Sequence, residues 1–462
     1  MRAQVDTTTM AAPGTGGAPS GQPASASALR PVRTMARWSV RHGVAAVYLR
    51  RSARRGDLVG RLLRDRAVRE QPYEVYEQLR ARGRLVPSAL GWVSTTHAVV
   101  QDVLRSEHFG VGFDRAALPR VFRWALEFGD DMDASGVVEP PSMLVTDPPD
   151  HTRFRRLVSR AFTPRAIAAF EPMIGRTTAD LLDGLEQRLG AADGPVDLVE
   201  EWAAQLPVLV IAELLGVPAQ RKEEFLRWGA AAAATLDPGL PLRRYLEAER
   251  ALRALHAFLR AHFARLRRDP GEDLVSRLVG LPEEEALTER ELHATVMLLL
   301  GAGFETTVNL LGNAVVALDA HRDQWESLAA DPSGWGGAVE EVLRWDSPVQ
   351  ITGRTAKPGA AADGRPIPPG QRVTVFLGAA NRDPEVFPDP ARFDVTRANS
   401  RDHLAFSAGI HYCLGAGLAR LEAVTALRML TERLPRLRVA GIPERRDLQT
   451  LRGFEHLPVT AG

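Results

Sequence analysis

The segment from Thr288 to Leu318 constrains the fold of this chain more than any other. It has the pattern of one long helix that is apolar on nearly every side, and such a helix is stable in water only when other elements surround it. The rest of the chain must therefore supply enough apolar surface to enclose it. Apolar residues make up 45% of the 462 residues, which is sufficient for a large globular domain.

Helical patterns dominate the chain from about residue 70 onward. Thr163-Pro164 combines a capping hydroxyl with a first-turn proline, which is typical of a helix start. Residues 206–218 have the pattern of a buried helix ended by glycine and proline. Strand patterns are concentrated in residues 349–356 and 372–377, with turn residues between them. The sequence predicts a mainly α fold with a small β region.

The first 70 residues differ from the rest in composition. Residues 1–34 consist mostly of Ala, Gly, Pro, Ser and Thr, which bury too little apolar surface to offset chain entropy, so we expect a disordered tail. The stretch from Arg30 to Arg69 carries twelve arginines against two aspartates, with apolar residues at helical spacing. Residues 35–70 are therefore predicted to be a basic helical lead-in, with contact to a membrane surface or a partner as the alternative. Residues 71–462 form the main domain.

Charge and cysteine content exclude several classes of protein. A net charge of +1 argues against nucleic-acid binding, which needs a basic surface. One cysteine cannot form an internal disulfide, so the fold does not depend on an oxidising compartment. The sequence contains neither a run near the ~20 apolar residues that span a bilayer nor the apolar core of a secretory signal. These features predict a soluble cytoplasmic protein.

The single cysteine, Cys413, lies between two glycines, Gly409 and Gly415, which allow the backbone to approach a flat group closely. It precedes a predicted helix start, where free N–H groups and the helix dipole favour a thiolate over a thiol. His411 is placed to donate a hydrogen bond to an anion at the same face. A lone cysteine is usually a small buried apolar residue, but these neighbours favour a metal ligand.

A second motif, Gly301-Ala-Gly-Phe-Glu-Thr-Thr307, lies inside the long helix. Glycine and threonine are poor helix formers, and small residues would let the helix pass close over a planar group. The Thr306 hydroxyl is expected to donate to the carbonyl of Ala302 and to open the helix locally. On these residues alone, a packing kink between helices explains the motif equally well.

The cysteine segment resembles the haem-binding loop of the cytochromes P-450. The matching residues are Phe406, Gly409, His411, Cys413 and Gly415. The resemblance implies a triangular, helix-rich domain around a buried haem b, over residues 71–462, with the Cys413 thiolate as the axial ligand of the iron. Ser407 departs from the pattern, since the family usually has glycine there. We expect an altered hydrogen bond in the loop and retained haem.

The resemblance also assigns roles outside the cysteine loop. Glu305 and Thr306 are similar to the family's acid–alcohol pair, which implies that Thr306 assists oxygen activation and Glu305 relays protons. Haem propionates need cationic or hydrogen-bonding partners. The resemblance supplies four of them, namely His151, Arg155, Arg354 and His411.

A buried charge network is implied as well. Glu341 and Arg344, three residues apart on one helix surface, match a structural ion pair of the family. The family completes this pair with an arginine from a later loop. Arg392 is the predicted third member.

The function implied by the resemblance is that of a monooxygenase, which inserts one atom of dioxygen into an apolar organic substrate typical of secondary metabolism. No flavin or iron–sulfur module is visible, so a separate ferredoxin and ferredoxin reductase are expected to deliver electrons. Four arginines are the predicted docking face: Arg153, Arg156, Arg160 and Arg420. The substrate is expected to contact residues 109–143, 230–234, Leu299, Ala302, 349–352 and 453–454.

Two alternatives remain open at the level of the sequence. The first keeps the haem but carries out oxidative coupling or peroxide-driven oxidation. Glu305 and Thr306 favour dioxygen activation without excluding coupling. The second is a recruitment module that keeps the fold without catalysis, which the intact Cys413, Glu305 and Thr306 disfavour.

Overall fold

The computed structural model describes residues 29–88, 90–112 and 119–462. Of the predicted disordered tail, residues 1–34, residues 1–28 therefore lie outside the described residues. Its last residues belong to a helix that begins at Arg30. The basic lead-in, residues 35–70, is helical over most of its length.

The α-helices follow one another along most of the chain. In the N-terminal third they are α1 Arg30–Trp38, α2 Val44–Arg54, α3 Leu58–Arg64, α4 Arg66–Glu70, α5 Tyr73–Ala81, α6 His97–Arg105, α7 Arg120–Phe128 and α8 Asp150–Ser159. The middle contains α9 Pro164–Ala168, α10 Glu171–Ala191, α11 Gln205–Leu214, α12 Lys222–Ala234, α13 Leu242–Leu266 and α14 Leu274–Val279. The remainder are α15 Glu289–Gly303, α16 Glu305–Ala320, α17 Arg322–Ala330, α18 Trp335–Trp345, α19 Leu377–Ala380 and α20 Ala416–Arg433.

The strands are short and form small sheets. They are β1 Val86–Ser88, β2 Gly91–Ser94, β3 Phe109–Gly110, β4 Val196–Asp197, β5 Ile351–Ala356, β6 Ala361–Ala362, β7 Arg365–Pro366, β8 Arg372–Phe376, β9 Arg438–Val439, β10 Glu444–Arg445, β11 Phe454–His456 and β12 Pro458–Thr460. The largest sheet has the order β1-β2-β8-β5-β3. The two strands predicted from the sequence, β5 and β8, pair antiparallel with Arg354 opposite Val373.

The predicted helix starts and ends are confirmed where the sequence carried strong signals. The Thr163 hydroxyl accepts a hydrogen bond from Ala166 N–H at the start of α9. α11 is buried along most of its length, and Gly216 just beyond it has a φ of +64°. Capping hydroxyls and left-handed glycines act through local bonds, so they specify helix ends without help from the rest of the fold.

The long apolar segment forms the centre of the domain, as predicted. It consists of α15, which starts with a capping box formed by Thr288 and Glu291, and of α16. The run Glu289–Ala320 is long and apolar enough to cross a bilayer, but 78% of its most apolar window is buried by protein. α16 contacts α11, α18 and α20. Because α20 follows directly on the cysteine loop, this packing holds the loop in place relative to the central helix.

Candidate active site: the cysteine loop and the central helix

Cys413 lies in the loop that leads into α20. The loop folds back on itself because Cys413 N–H donates to the Phe406 carbonyl at 2.9 Å. α20 begins at Ala416 with Gly415 as its cap residue, and the backbone amide of Gly415 acts to lower the pKa of the Cys413 thiol. The sulfur therefore faces an amide donor at a helix N-terminus, as the sequence predicted.

The environment of the sulfur suits an anion that binds a cation. Cys413 is exposed, yet protein atoms surround it closely enough for burial to raise the pKa of its thiol. The Gly415 N–H and the charges of Arg155 and Arg420 act in the opposite direction. A metal cation at the sulfur would remove the cost of holding a thiolate there. The accessible sulfur thus fits the role of an axial ligand.

Two residues of the cysteine loop adopt a left-handed backbone. Gly409 has a φ of +69°, and a Cβ there would lie 2.4 Å from the carbonyl oxygen of Leu104, so only glycine fits. Ser407 has a φ of 62°. Its hydroxyl is buried and has no hydrogen-bond partner among the described residues. The altered hydrogen bond expected of this hydroxyl is therefore absent from the described structure, and the serine instead adopts the conformation that glycine favours.

We expect Ser407→Gly to raise the free energy of unfolding by about 1 kcal/mol, because a side chain in the left-handed region is strained and glycine is not. Chemical denaturation of the haem-loaded protein measures the change. Ser407→Ala is the matched control, since it removes the unpartnered hydroxyl but keeps the Cβ. An equal gain in both variants would show that the hydroxyl, not the backbone, carries the cost.

Four cationic or hydrogen-bonding side chains that were predicted separately are brought together beside the loop. The rings of His151 and His411 lie 4.3 Å apart, and Arg155 donates to the Tyr412 carbonyl at 2.7 Å. Arg354 is only 3% exposed. The Nη2 of Arg354 and the Nε2 of His411 are both buried without a hydrogen-bond partner among the described residues.

This cluster is electrostatically incomplete. Burial, together with the charges of Arg354 and His151, lowers the pKa of His411 to about 3. Asp147 is the carboxylate that acts against this shift. Buried donors without acceptors cost free energy, and one anionic group placed among them would satisfy both. The cluster therefore fits the carboxylates of haem propionates.

The central helix is interrupted beside Thr306, as the sequence predicted. The Thr306 hydroxyl donates to the Ala302 carbonyl at 2.9 Å. α15 ends at Gly303 and α16 begins at Glu305, and the bond from Phe304 N–H to the Leu300 carbonyl is stretched to 3.5 Å. Ala302 is exposed although most of its neighbours in the helix are buried. The helix is thus opened where a hydroxyl and an acid follow each other.

Glu305 is fully buried and is paired with a residue that the sequence did not reveal. Its Oε1 lies 2.9 Å from Nη1 of Arg446. Arg446 is itself anchored, because its Nε donates to the Phe454 carbonyl at 3.0 Å. Burial raises the pKa of Glu305, and Arg446 lowers it only in part. Arg446 lies 141 residues from Glu305 (446 − 305) in an irregular segment, so no local pattern marks the pair.

The buried ion pair of Glu341 and Arg344 is present, but its third member was predicted wrongly. Both side chains are fully buried and are joined by two hydrogen bonds of 2.7 Å. The third arginine is Arg397, whose Nε lies 3.3 Å from Glu341 Oε1. Arg392 contributes only its carbonyl, which accepts from Arg344 at 3.0 Å. Its side chain is 69% exposed and is near Asp394 instead.

A second ion-pair network, which the sequence analysis missed, connects α18 to α20. Glu340 accepts hydrogen bonds from Arg420 at 2.6 and 3.0 Å and from His403 at 2.9 Å. Burial acts to raise the pKa of Glu340, but these partners outweigh it and lower the pKa to about 2. Arg420, predicted to lie on a docking face, is therefore held by Glu340 just after the cysteine loop.

Several segments predicted to contact substrate meet at the central helix. A Cβ at Gly301 would lie 3.1 Å from the side chains of both Val137 and Ala232. Gln350 N–H donates to the Thr450 carbonyl at 2.9 Å, which joins the strand region to the C-terminal loop. Residues 113–118, part of the predicted contact region 109–143, lie outside the described residues. The two side chains that approach Gly301, Val137 and Ala232, are small and aliphatic.

An accessible cysteine sulfur at a helix N-terminus, an incomplete cationic cluster beside it and an opened central helix together define a haem-thiolate class of site. Comparison with known proteins agrees. The family model described as "Cytochrome P-450" matches residues 337–450. Among curated proteins, a putative cytochrome P-450 140 of Mycobacterium tuberculosis is 43% identical, over 92% of this chain and 97% of its own. Vitamin D(3) 25-hydroxylase of Pseudonocardia autotrophica is 40% identical, over 85% and 94%.

Solved structures give the same result. The ligand-free crystal structure of Mycobacterium smegmatis CYP164A2 superimposes with a TM-score of 0.77 at 41% identity, and the match covers 87% of this chain and 99% of that one. The chain belongs to the cytochrome P-450 family, in its bacterial branch. It is a haem b-dependent monooxygenase with the fold predicted from the sequence.

Proposed function

We propose that this monooxygenase inserts an oxygen atom into an apolar natural product or lipid-like molecule, at a haem whose iron is held by Cys413. The observation that carries the proposal is the cluster of His151, Arg155, Arg354 and His411, whose unpartnered buried donors adjoin the cysteine loop. These four residues would bind the propionates, and Cys413 would bind the iron. The bound haem would supply the redox chemistry of oxygen activation.

The protein's own contribution is to hold and move protons beside the opened helix. Thr306 Oγ1, which donates to the Ala302 carbonyl, offers a hydroxyl that can exchange a proton across the gap in the helix. Glu305 is the acid. Because burial raises the pKa of Glu305, its carboxyl oxygens hold a proton more readily than an exposed glutamate does. Arg446 Nη1 lies 2.9 Å from Glu305 Oε1 and is its ion-pair partner.

The small side chains at the helix set the kind of substrate. Val137 and Ala232 approach Gly301 closely, and apolar walls of this kind bind apolar molecules by excluding water. Vitamin D(3), named as the substrate of one relative, is a lipid-like molecule of this class. We therefore favour a lipid-like or polyketide-like substrate made in secondary metabolism.

The proposed electron donors are a ferredoxin and its ferredoxin reductase, acting in the cytoplasm on a soluble enzyme. Of the four arginines predicted to bind them, Arg156 and Arg160 are exposed, although Arg156 lies 3.4 Å from Glu285 in an exposed ion pair. Arg153 is ion-paired with Glu291 and Arg420 with Glu340. Exposed arginines attract an acidic partner over a distance set by the salt concentration, so the docking contribution belongs mainly to the first two.

Isotopic labelling tests the proposed reaction. Turnover under ¹⁸O-labelled dioxygen should place one labelled atom in the product, and mass spectrometry detects it. A product formed at normal yield without label would contradict oxygen insertion. It would indicate oxidative coupling or peroxide-driven chemistry instead.

Thr306→Ala should lower the product formed per pair of electrons by roughly tenfold, because loss of the hydroxyl impairs proton transfer while leaving electron uptake intact. Thr307→Ala is the matched control. Thr307 also donates to a helix carbonyl, that of Gly303 at 3.3 Å, but it is 1% exposed and packs in the core. Coupling that is unchanged in Thr306→Ala, or equally reduced in Thr307→Ala, would remove Thr306 from the proton path.

A further inference from the structure

Over residues 29–48, the N-terminal helices α1 and α2 expose large apolar side chains and bury several polar ones, the reverse of an ordinary surface helix. The two helices are continuous through a π-helical turn, Ser39–Gly43. The buried positions include Thr34, Arg37, His42 and Ser52. The large exposed side chains are Leu29, Val32, Met35, Val44, Val47 and Tyr48, each 42–54% exposed.

The inward polar groups hold the helices firmly against the domain. Arg37 pairs with Glu139 at 2.5 Å, and Thr34 donates to Glu249 at 2.9 Å. The Trp38 indole donates to the Leu240 carbonyl, also at 2.9 Å. These contacts are buried or partly buried, so the apolar stripe cannot turn inward without breaking them.

The apolar stripe extends onto the neighbouring helix α7. Trp124 and Val121 of α7 are 60% and 63% exposed. The rings of Trp124 and Phe128 stack with their centroids 5.2 Å apart. The guanidinium carbon of Arg33, from α1, lies 5.6 Å from the centroid of the Phe128 ring. From residue 29 to residue 48 the helical path is about 30 Å long. The exposed apolar surface, which we call the outer stripe, therefore comprises the six residues above with Val121 and Trp124.

Unpaired arginines lie in the same helical segment. The exposed ones are Arg30, Arg50, Arg51, Arg54 and Arg55. Within the described part of the chain none of these five forms an ion pair. An apolar stripe bordered by cationic side chains matches the boundary between acyl chains and anionic headgroups in a bilayer.

Two other occupants fit the outer stripe less well. A second copy related by a two-fold axis would place the arginines of both copies close together, and like charges repel. Residues 1–28 contain only Met1, Val5 and Met10 as large apolar side chains, too few to cover the stripe.

We propose that the outer stripe docks the protein on an anionic membrane surface, with α1, α2 and α7 lying along the interface. The inner side of the same helices contacts Glu139 and Leu240, and Val137, near Glu139, adjoins Gly301 of the central helix, where the proposed substrate would bind. If the proposed apolar substrate is correct, docking would place the pocket wall next to the phase in which that substrate dissolves.

Sedimentation with vesicles tests the proposal without measuring activity. The full-length haem-loaded protein should bind vesicles of mixed phosphatidylcholine and phosphatidylglycerol, and added salt should weaken the binding. Pure phosphatidylcholine vesicles should bind it far less. Val47→Asp and Val32→Asp should each weaken binding roughly tenfold, because each puts a charge into the exposed apolar stripe that would enter the bilayer. Ile442→Asp is the matched control, since Ile442 is 91% exposed but lies outside the stripe.

Three results would overturn the proposal. The first is failure of the wild-type protein to bind anionic vesicles, and the second is equal binding by wild type and Val47→Asp. The third is a wild-type dimer in light scattering that Val47→Asp converts to a monomer without any vesicle binding, which would assign the stripe to a second copy. None of these results would bear on oxygen insertion, which labelled dioxygen tests separately.

Discussion

Glu341→Gln should destabilise the haem-loaded protein by about 3–5 kcal/mol, because it leaves buried guanidinium groups without their counter-charge. Among the residues that the structure describes, Glu341 is the one carboxylate that both Arg344 and Arg397 contact, at 2.7 and 3.3 Å. Arg344 is fully buried, so water cannot take the place of the lost charge. Arg344 also donates to the carbonyls of Asn381, Pro390 and Arg392. Loss of the carboxylate therefore loosens the loop that the arginine organises.

The effect is measured as the shift in the denaturant midpoint, with Glu247→Gln as the control. Glu247 forms an ion pair with Arg243 on α13, but these side chains are 53% and 91% exposed. Exposed pairs of this kind contribute less than about 1 kcal/mol. If Glu341→Gln does not fold, Arg397→Gln should still give an intermediate loss, because Arg344 keeps its own pair. A Glu341→Gln protein as stable as Glu247→Gln would contradict the role assigned to the network.

Glu305→Gln should reduce the rate of product formation by roughly 100-fold, the contribution typical of a positioned proton donor. The glutamine keeps the shape of the side chain but cannot deliver a proton. Glu305 is fully buried, so a solvent proton has no direct route to replace it. The fold should tolerate this change better than Glu341→Gln, because Arg446 is 15% exposed and keeps its hydrogen bond to the Phe454 carbonyl, so water and that carbonyl still solvate its charge.

Arg446→Gln tests the role of the proton on Glu305 by removing the charge of its ion-pair partner. Arg446 lowers the pKa of Glu305 against the effect of burial, so its loss should raise that pKa further. An acid donor works only while protonated, and activity is lost as the pH rises through its pKa. The alkaline limb of the pH–rate profile should therefore move to higher pH in Arg446→Gln and return towards the wild-type position in Arg446→Lys.

Infrared difference spectroscopy gives a readout that does not depend on activity. The carbonyl stretch of a protonated carboxyl group should persist to higher pH in Arg446→Gln and be absent in Glu305→Gln. An unshifted alkaline limb together with an unchanged carboxyl band would show that Arg446 does not control the proton on Glu305.

The sequence predicted those parts of the site that are local. The hydrogen bond from Thr306 to Ala302 spans one helical turn, and the Glu341–Arg344 pair spans three residues, so spacing alone brings these atoms together. The cysteine loop was predicted because its glycines and its helix start are consecutive in the chain. The strands β5 and β8 were predicted because alternating strand patterns are concentrated in residues 349–356 and 372–377 of the sequence, and the structure pairs them antiparallel.

The parts that depend on irregular backbone were missed or predicted wrongly. Arg392 and Arg397 lie in the same irregular segment, where no helical or strand period tells which side chain points inward. The partner of Glu305, Arg446, comes from the C-terminal part of the chain. The inward-facing polar side chains of α1 and α2 were hidden for another reason. Arg37 is buried only because Glu139, from a distant loop, meets it.

The proposed oxygen chemistry depends on iron held by the sulfur of Cys413, and the spectrum of the reduced, carbon monoxide-bound protein tests this most directly. The wild-type protein should show the red-shifted absorption band of thiolate-ligated haem. Cys413→Ser should lose that band. Its haem content is measured by a separate assay, so that loss of the thiolate ligand is distinguished from loss of haem. A red-shifted band that persists in Cys413→Ser, or a haem-loaded wild type without it, would contradict the assignment.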